Sequence, residues 1–485
     1  MTRGITLLGL GPGDPALLTG KARETIDGLG EIYLRTKQHP LAASLPEKTR
    51  VFDFDRMMGD GDLPEESIEK IVQTVLELGE RPQGVTYAVP GSPFVGESTC
   101  PEIFRRAKEK GIPVRVVEGL SFLEPVCTTL EIDLLPRMVM VDALELAALH
   151  HVNFPPAFPA LVSQVHSREI AAEMKMTLLT VYPDQHPVKL VHSAGNPDQV
   201  VESIALSEID RSSLVGPLTV LFVPPLEPDT SFEAFQEVVA HLRAPEGCPW
   251  DREQTHISLR KALLEETYEA LHAIDIKDPR KLAEELGDIL LQIVLHSQIA
   301  SEEGDFSMVD VLQGINQKIV RRHPHVFGDL KLRGMDHLLT NWEKLKAAER
   351  KENGEVEKSL LDGVPDILPA LTQAQEVQDR AARVGFDWKD IRGVMDKIIE
   401  EIREIDEARD PAELTDEMGD LLFAVVNYAR WRKVDPEFAL RDTTMKFRKR
   451  FGFIEKKARL EGREVSQLTF DELNDAWDEA KNQDH

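Results

Sequence analysis

Hydrophobic and polar positions change their period along this chain. Up to about residue 225 the apolar residues come in short runs, ITLL (5–8), GVTYAV (84–89) and IPVRVV (112–117). Each run breaks into a glycine- or proline-bearing turn and is followed by an amphipathic stretch of helical spacing. Strand, turn and helix in that order predict a largely parallel sheet with helices on both faces. A proline-rich segment, HHVNFPPAFPA (150–160), reads as a hinge to a second lobe, with strands expected in TLLTVYP, KLVHSAG and PLTVLFVPP. Past the linker PPLEPDTSF (224–232) the period becomes 3.6. Leu259, Leu263, Ala270 and Ile274 mark one buried helical face, and Leu286, Ile289, Leu290 and Ile293 another, with a break at Asp278-Pro279. The fold class is therefore multidomain: a two-lobed α/β domain followed by all-α helical bundles.

Each of those two helices carries acids beside its apolar stripe. Glu266 and Glu269 are three apart on the first, and Glu285 and Asp288 repeat the spacing on the second. Residues at i and i+3 are neighbours on a helix surface, so an antiparallel pair brings four carboxylates together. A lone Glu-x-x-Glu is nearly always a solvated edge, but here the layout recurs. Glu401 and Glu404 precede an Asp410-Pro411 break, and Glu417 and Asp420 follow it. Ile398, Ile402 and Ile405 turn Glu401 inward and Glu400 outward. Other features recur in the same order, offset by 128 to 138 residues. Trp250 is echoed by Trp388, Lys318/Arg322 by Lys446/Arg450, and Trp342/Lys346 by Trp477/Lys481. A charged segment, 350–359, separates the copies. Duplication of one domain is the economical account. The expected domains are 1–225, 226–352 and 360–485.

At 485 residues the chain is long enough for several cores, and its formal charge of −28 argues against a nucleic-acid polymer as partner. Three cysteines, Cys100, Cys127 and Cys248, have no paired spacing, which fits a reduced, cytoplasmic compartment. No apolar run is long enough to cross a bilayer, so a soluble protein away from membranes is expected. His150, His151, His166, His186 and His192 show no ligand spacing and read as ordinary surface or core residues.

The opening turn Gly9, Gly11 and Gly13 matches neither the dinucleotide nor the triphosphate glycine pattern. Two further turns, Pro90-Gly91-Ser92-Pro93 and Glu118-Gly119-Leu120-Ser121, would gather with it at the carboxyl ends of the strands, where such sheets bind ligands. Over roughly its first 225 residues the chain resembles the S-adenosylmethionine-dependent tetrapyrrole methylases, whose opening GxGPGDxxLLT matches Gly9 to Thr19. The resemblance implies S-adenosylmethionine held in the cleft between the lobes by Gly9, Gly11, Gly13, Gly91, Ser92, Gly119 and Ser121. The sequence departs from that family in one place: its second loop usually reads Gly-Asp-Pro, and here Ser92 replaces the acid. The alternative is a retained scaffold whose glycines are structural.

The motifs CPWDREQTH (248–256), EELGD (284–288), RRHPHVFG (321–328), VGFDW (384–388) and DEMGDLLF (416–423) make residues 230–485 resemble the MazG family of nucleoside triphosphate pyrophosphohydrolases. The combination of a methylase-like domain with two MazG domains resembles the YabN-type fusion. Four carboxylates held a few ångströms apart repel, at about 4 kcal/mol per pair at 4 Å and an effective dielectric near 20, unless a cation joins them. Oxygen-only ligands suit magnesium or manganese. The expected metal ligands are Glu266, Glu269, Glu285 and Asp288 in the first copy, and Glu401, Glu404, Glu417 and Asp420 in the second. Lys446, Arg450 and Lys481 are expected on phosphates, as are Lys318, Arg322 and Lys346 in the first copy. Trp342 and Trp477 either stack on the base or anchor helix packing, and packing is the commoner fate. The expected reaction is NTP + H2O to NMP + PPi, which would clear noncanonical nucleotides, and a homodimer is expected because such small hairpins often complete a bundle by pairing. A di-iron centre would need Glu-x-x-His, which neither copy has. The rival classes are a nucleotide-sensing binding protein on the same scaffold and a methyltransferase.

Overall fold

The first apolar run, Ile5–Gly9, forms β1 in a parallel sheet with β2 (Glu31–Leu34), β3 (Arg50–Asp53), β4 (Val85–Val89) and β5 (Val114–Val117). The computed structural model describes residues 3–55, 64–328, 330 and 359–482. It divides into two compact units, Met1–Leu312 and Gln313–His485. The strand order is β3-β2-β4-β1-β5 and every pairing is parallel. Every residue of β4 is buried, as expected of a strand covered on both faces. Helix α1 (Gly20–Asp27) covers one face, where Ala22 and Ile26 meet Leu8 and Leu10. Helices α2 (Pro64–Gly79) and α3 (Thr99–Glu109) cover the other, where Val75 and Ile103 meet Ile5 and Leu7.

After α4 (Leu123–Leu130) the chain builds a second sheet from β6 (Val139–Asp142), β7 (Ala160–Ser163), β8 (Pro187–His192), β9 (Val200–Ala205) and β10 (Thr219–Val223). Its order is β6-β7-β10-β8-β9, with β6–β7 parallel and the other pairs antiparallel. Two sequence expectations change here. TLLTVYP is not a strand: Thr177 and Leu178 end α6 (Arg168–Leu178), which follows α5 (Ala143–Ala148). Ala171, Met174 and Leu178 are buried at helical spacing, and that stripe outweighs the β-branched residues after it. The proline-rich segment 150–160 is not the hinge either. It lies between α5 and β7, inside the lobe that begins at Val139.

From Phe232 onward the structure is helical: α7 (Phe232–Arg243), α8 (Pro249–Arg252), α9 (His256–Asp275), α10 (Pro279–Glu303), α11 (Met308–Arg322) and α12 (Pro324–Phe327). Thr255 and Ser258 make a reciprocal capping box at the start of α9. Asp278 caps α10 by accepting from Arg280 N and Lys281 N, with Pro279 at the first helical position. The second unit contributes α13 (Ala370–Arg383), α14 (Ile391–Glu407), α15 (Pro411–Trp431), α16 (Pro436–Leu460) and α17 (Phe470–Asn482). Asp410 and Pro411 start α15 as Asp278 and Pro279 start α10.

The buried faces of α9 and α10 differ in part from the sequence reading. Leu259 and Ala270 are buried and Leu263 is half-buried, but Ile274 is 53% exposed. On α10 the stripe is rotated: Leu286 (52%), Leu290 and Ile293 are exposed and Ile289 is half-buried, while Gln292, Val294, Leu295 and Ile299 are buried. The helix is apolar over more than one face, and the face turned to α7 and α9 is the one that includes Glu285. In the second copy Ile398 and Ile405 are half-buried and Ile402 is exposed. Among the described residues no helix is long and apolar enough to cross a membrane.

Candidate functional site

Helices α9 and α10 form a hairpin whose three-residue connection, Ile276–Asp278, turns through Lys277 at φ 56°. The hairpin brings carboxylate oxygens of Glu266, Glu285 and Asp288 within 4.8 Å of one another. Glu285 is only 4% exposed. Glu269 stays outside that triad on the exposed rim, near enough for its charge to act on Glu266 and Glu285. Lost hydration, then the neighbouring acids, raises the pKa of both glutamates. One cation relieves the strain, Lys281, with Nζ 3.8 Å from Glu285.

The second hairpin, α14 and α15, repeats this arrangement with Glu401, Glu417 and Asp420, whose oxygens again lie within 4.8 Å. Glu401 is 2% exposed and Glu400 is exposed, as the isoleucine spacing requires. Glu404 is half-buried and hydrogen-bonds Glu401, completing the acidic patch from outside the triad. Lost hydration and the charge of Glu401 raise Glu404 and Glu417 alike. Lys397, one helical turn before Glu401, was not singled out from the sequence. Its Nζ lies 2.5 Å from Glu401 and 3.0 Å from Glu400, and those bonds push its own pKa up. The signal was available as a Lys at i−4 from the inward acid, but such pairs are ordinary on solvated helices. Its counterpart in the first copy is Ala262.

The donor set fits a hard divalent ion. All contributors are carboxylate oxygens, and an octahedral ion with ligands at about 2.1 Å spans roughly 4 Å between opposite oxygens. Glu401 Oε2 is moreover buried with no hydrogen-bond partner, which a cation would satisfy.

The expected phosphate-binding residues are placed less closely. Lys446 and Arg450 share a face of α16, with Lys446 exposed and Arg450 half-buried. Arg450 carries its guanidinium 5.5 Å from the centre of the Trp477 ring, and Phe447 packs on that ring at 5.1 Å. Trp477 thus anchors α17 on α16, the packing alternative of the sequence reading. Lys481 lies exposed one turn further along α17. Lys318 and Arg322 sit one turn apart on α11. Trp342 and Lys346 lie outside the described residues.

In the α/β region the three glycine turns do gather. A Cβ on Gly9 would lie 2.5 Å from Gly119 N, and one on Gly119 2.2 Å from Gly91 O, so glycine is required for the backbones to meet. Gly11 and Gly91 exchange backbone hydrogen bonds of 3.1 and 2.8 Å and line a cavity of about 150 Å³ between the lobes. Gly9, Gly13, Ser92, Gly119 and Ser121 do not line it, and Ser121 instead bonds Glu124 and Leu123 N at the start of α4. None of the lining residues is charged. S-adenosylmethionine, a zwitterion with an added sulfonium, would need a larger cavity, since sites for ligands of that size run from about 300 Å³ upward. The cavity as it stands does not fit that cofactor.

Two carboxylate-bearing helical hairpins behind a two-lobed α/β domain define the class. The description "MazG nucleotide pyrophosphohydrolase domain" matches residues 254–327 and 390–451, and "Tetrapyrrole (Corrin/Porphyrin) Methylases" matches 4–210. The chain belongs to the MazG family, with two MazG regions following a tetrapyrrole methylase domain. It is 39% identical to the uncharacterized protein YabN of Bacillus subtilis over 98% of both chains. It is 46% identical to the nucleoside triphosphate pyrophosphohydrolase/pyrophosphatase MazG of Thermotoga maritima, over 52% of this chain and 96% of that one. For the Escherichia coli K12 nucleoside triphosphate pyrophosphohydrolase the identity is 43%, over 51% and 95%.

Proposed function

We propose that the chain is a magnesium- or manganese-dependent nucleoside triphosphate pyrophosphohydrolase, producing a nucleoside monophosphate and pyrophosphate. The observation that carries this reading is the paired carboxylate clusters, one of which holds an unsatisfied buried oxygen at Glu401. The names of the Thermotoga and Escherichia relatives support it. In this reading Glu266, Glu269, Glu285 and Asp288 hold the ion in the first copy, and Glu401, Glu404, Glu417 and Asp420 in the second. The ion would supply charge neutralisation at the phosphates and an acidified water. Glu404, its pKa raised beside Glu401, is suited to accept the proton of that water. Lys446, Arg450 and Lys481 bind the phosphate chain, as do Lys318, Arg322 and Lys346 in the first copy. Lys397 keeps the second cluster from self-repulsion between turnovers.

The functional domains are taken as 1–225, 226–352 and 360–485, acting in a cytoplasmic homodimer on nucleoside triphosphates. The test is product analysis. Each triphosphate is incubated with the protein and magnesium, and the expected products are pyrophosphate and monophosphate in equal amounts. Release of orthophosphate alone, or no turnover of any triphosphate, would overturn the reading. Glu417→Gln combined with Glu285→Gln is expected to lower kcat by at least 100-fold, since both ion sites lose a ligand.

A further inference from the structure

The cavity between the two lobes of the α/β region is better suited to a smaller occupant than the family's cofactor. Its volume of about 150 Å³ equals that of an engineered cavity that takes a single benzene ring. Its walls are apolar where Phe122, Val126, Leu218 and Val220 contribute and neutral elsewhere. One polar atom stands out. Asn196 lines the cavity at 9% exposure, and its Oδ1 is buried without a hydrogen-bond partner. The amide cannot satisfy that atom by turning over, because Nδ2 already donates to Pro12 O at 3.0 Å. Gly13 lies directly under it, where a Cβ would come within 2.3 Å of Oδ1. An acceptor held this rigidly and left unsatisfied calls for a donor from outside the protein.

The backbone around the cavity is also held in costly conformations. Gln164, which follows β7 and lines the cavity, has φ 62°, and Ser193, which follows β8, has φ 50°. Ser193 O accepts from Asn196 N at 3.0 Å, closing the turn that presents Asn196 to the cavity. Non-glycine residues in the left-handed region persist where surrounding structure over-determines them, and they cluster at ligand clamps.

We infer that this cavity is a binding site for the base of an aminated nucleoside, with Asn196 Oδ1 accepting from the exocyclic amino group. A flat neutral ring matches the volume and the uncharged walls. Side-chain amides read the amino edge of a base by this chemistry, and the ring of Phe122 offers an aromatic surface for it. The ribose extends out of the enclosed part of the cavity, so a nucleoside satisfies the site without a charged group. The inference does not depend on the hydrolase reading, and either stands if the other fails.

The full chain is titrated by calorimetry in EDTA with adenosine, with purine riboside (which lacks the amino group) and with S-adenosylmethionine. Adenosine is expected to bind, purine riboside about tenfold more weakly, and S-adenosylmethionine no more tightly than adenosine. Asn196→Leu is expected to weaken adenosine about tenfold, and Ala194→Leu, which fills the cavity, to remove its binding. Melting curves of both variants report whether they fold, and if either does not, the three-ligand comparison on the unaltered protein decides. S-adenosylmethionine binding tenfold more tightly than adenosine would overturn the inference. So would equal binding of adenosine and purine riboside, an unchanged affinity in Asn196→Leu, or no adenosine binding at all.

Discussion

Glu417 is a carboxylate whose protonated form the fold favours: lost hydration, Glu401 and Asp420 all raise its pKa. The sign of the linkage is therefore the reverse of a salt-bridged acid. With a folded pKa above the unfolded one, ionised Glu417 destabilises the metal-free protein, and the penalty disappears as pH falls toward the ordinary carboxylate range. Glu417→Gln removes that penalty. In EDTA the variant should melt higher than the unaltered protein at pH 7, with the gap closing toward pH 5, and added magnesium should shift it less. The comparison of melting curves isolates this one group, because Glu102 and Glu472, both held down to about 2 by arginines, push the whole protein the opposite way. A variant that melts lower in EDTA, or keeps the full magnesium shift, would place Glu417 outside the ion site. At this scale the sequence was informative where neighbours i±3 and i±4 decide the matter, as with Glu401 inward and Glu400 outward. It was silent on Asn196, because its partner Pro12 lies 184 residues away.

The helical hairpins depend on how their second helices start. Asp278 and Asp410 each accept two backbone N–H groups, and each is followed by proline. Asp410→Ala should cost about 1 kcal/mol, the usual loss for such a cap. Because α15 carries Glu417 and Asp420 one to two turns further on, the same variant should weaken magnesium binding without touching a ligand. Urea melts with and without the ion check both halves of that expectation. These Asp-Pro starts were readable from the sequence, as were the two hairpins and the parallel order of the first sheet. The faces were less so. Leu286, Leu290 and Ile293 were expected inside and are exposed, since a helix apolar on several sides does not say which side packs. TLLTVYP failed for a related reason: four β-branched residues in seven suggest a strand, while the stripe from Ala171 to Leu178 that makes it a helix end begins upstream.

For the molecule as a whole, the exposed apolar rows matter most. Leu286, Leu290 and Ile293 form one on α10, and Leu422 and Phe423 on α15 and Phe447 and Phe451 on α16 add others. A monomer seldom leaves such rows uncovered, and a second copy of the chain is the partner a helical hairpin most readily supplies. Light scattering should give twice the chain mass of 54.5 kDa. Leu290→Lys with Ile293→Lys should reduce that value, while a single-chain mass for the unaltered protein would remove the homodimer from the proposal. The formal charge of −28 keeps such an assembly soluble while leaving the clusters dependent on cations.

The ammonium of Lys397 makes the two halves of the duplication unequal tenants of the same geometry. Entry of an ion beside Glu401 has to displace a resident positive charge, whereas in the earlier copy Ala262 occupies the corresponding place and only the looser Lys281 stands by. One half thus discriminates against weakly bound cations before any nucleotide arrives, and the other admits them more freely, so scarcity of the ion would silence the copies one after the other.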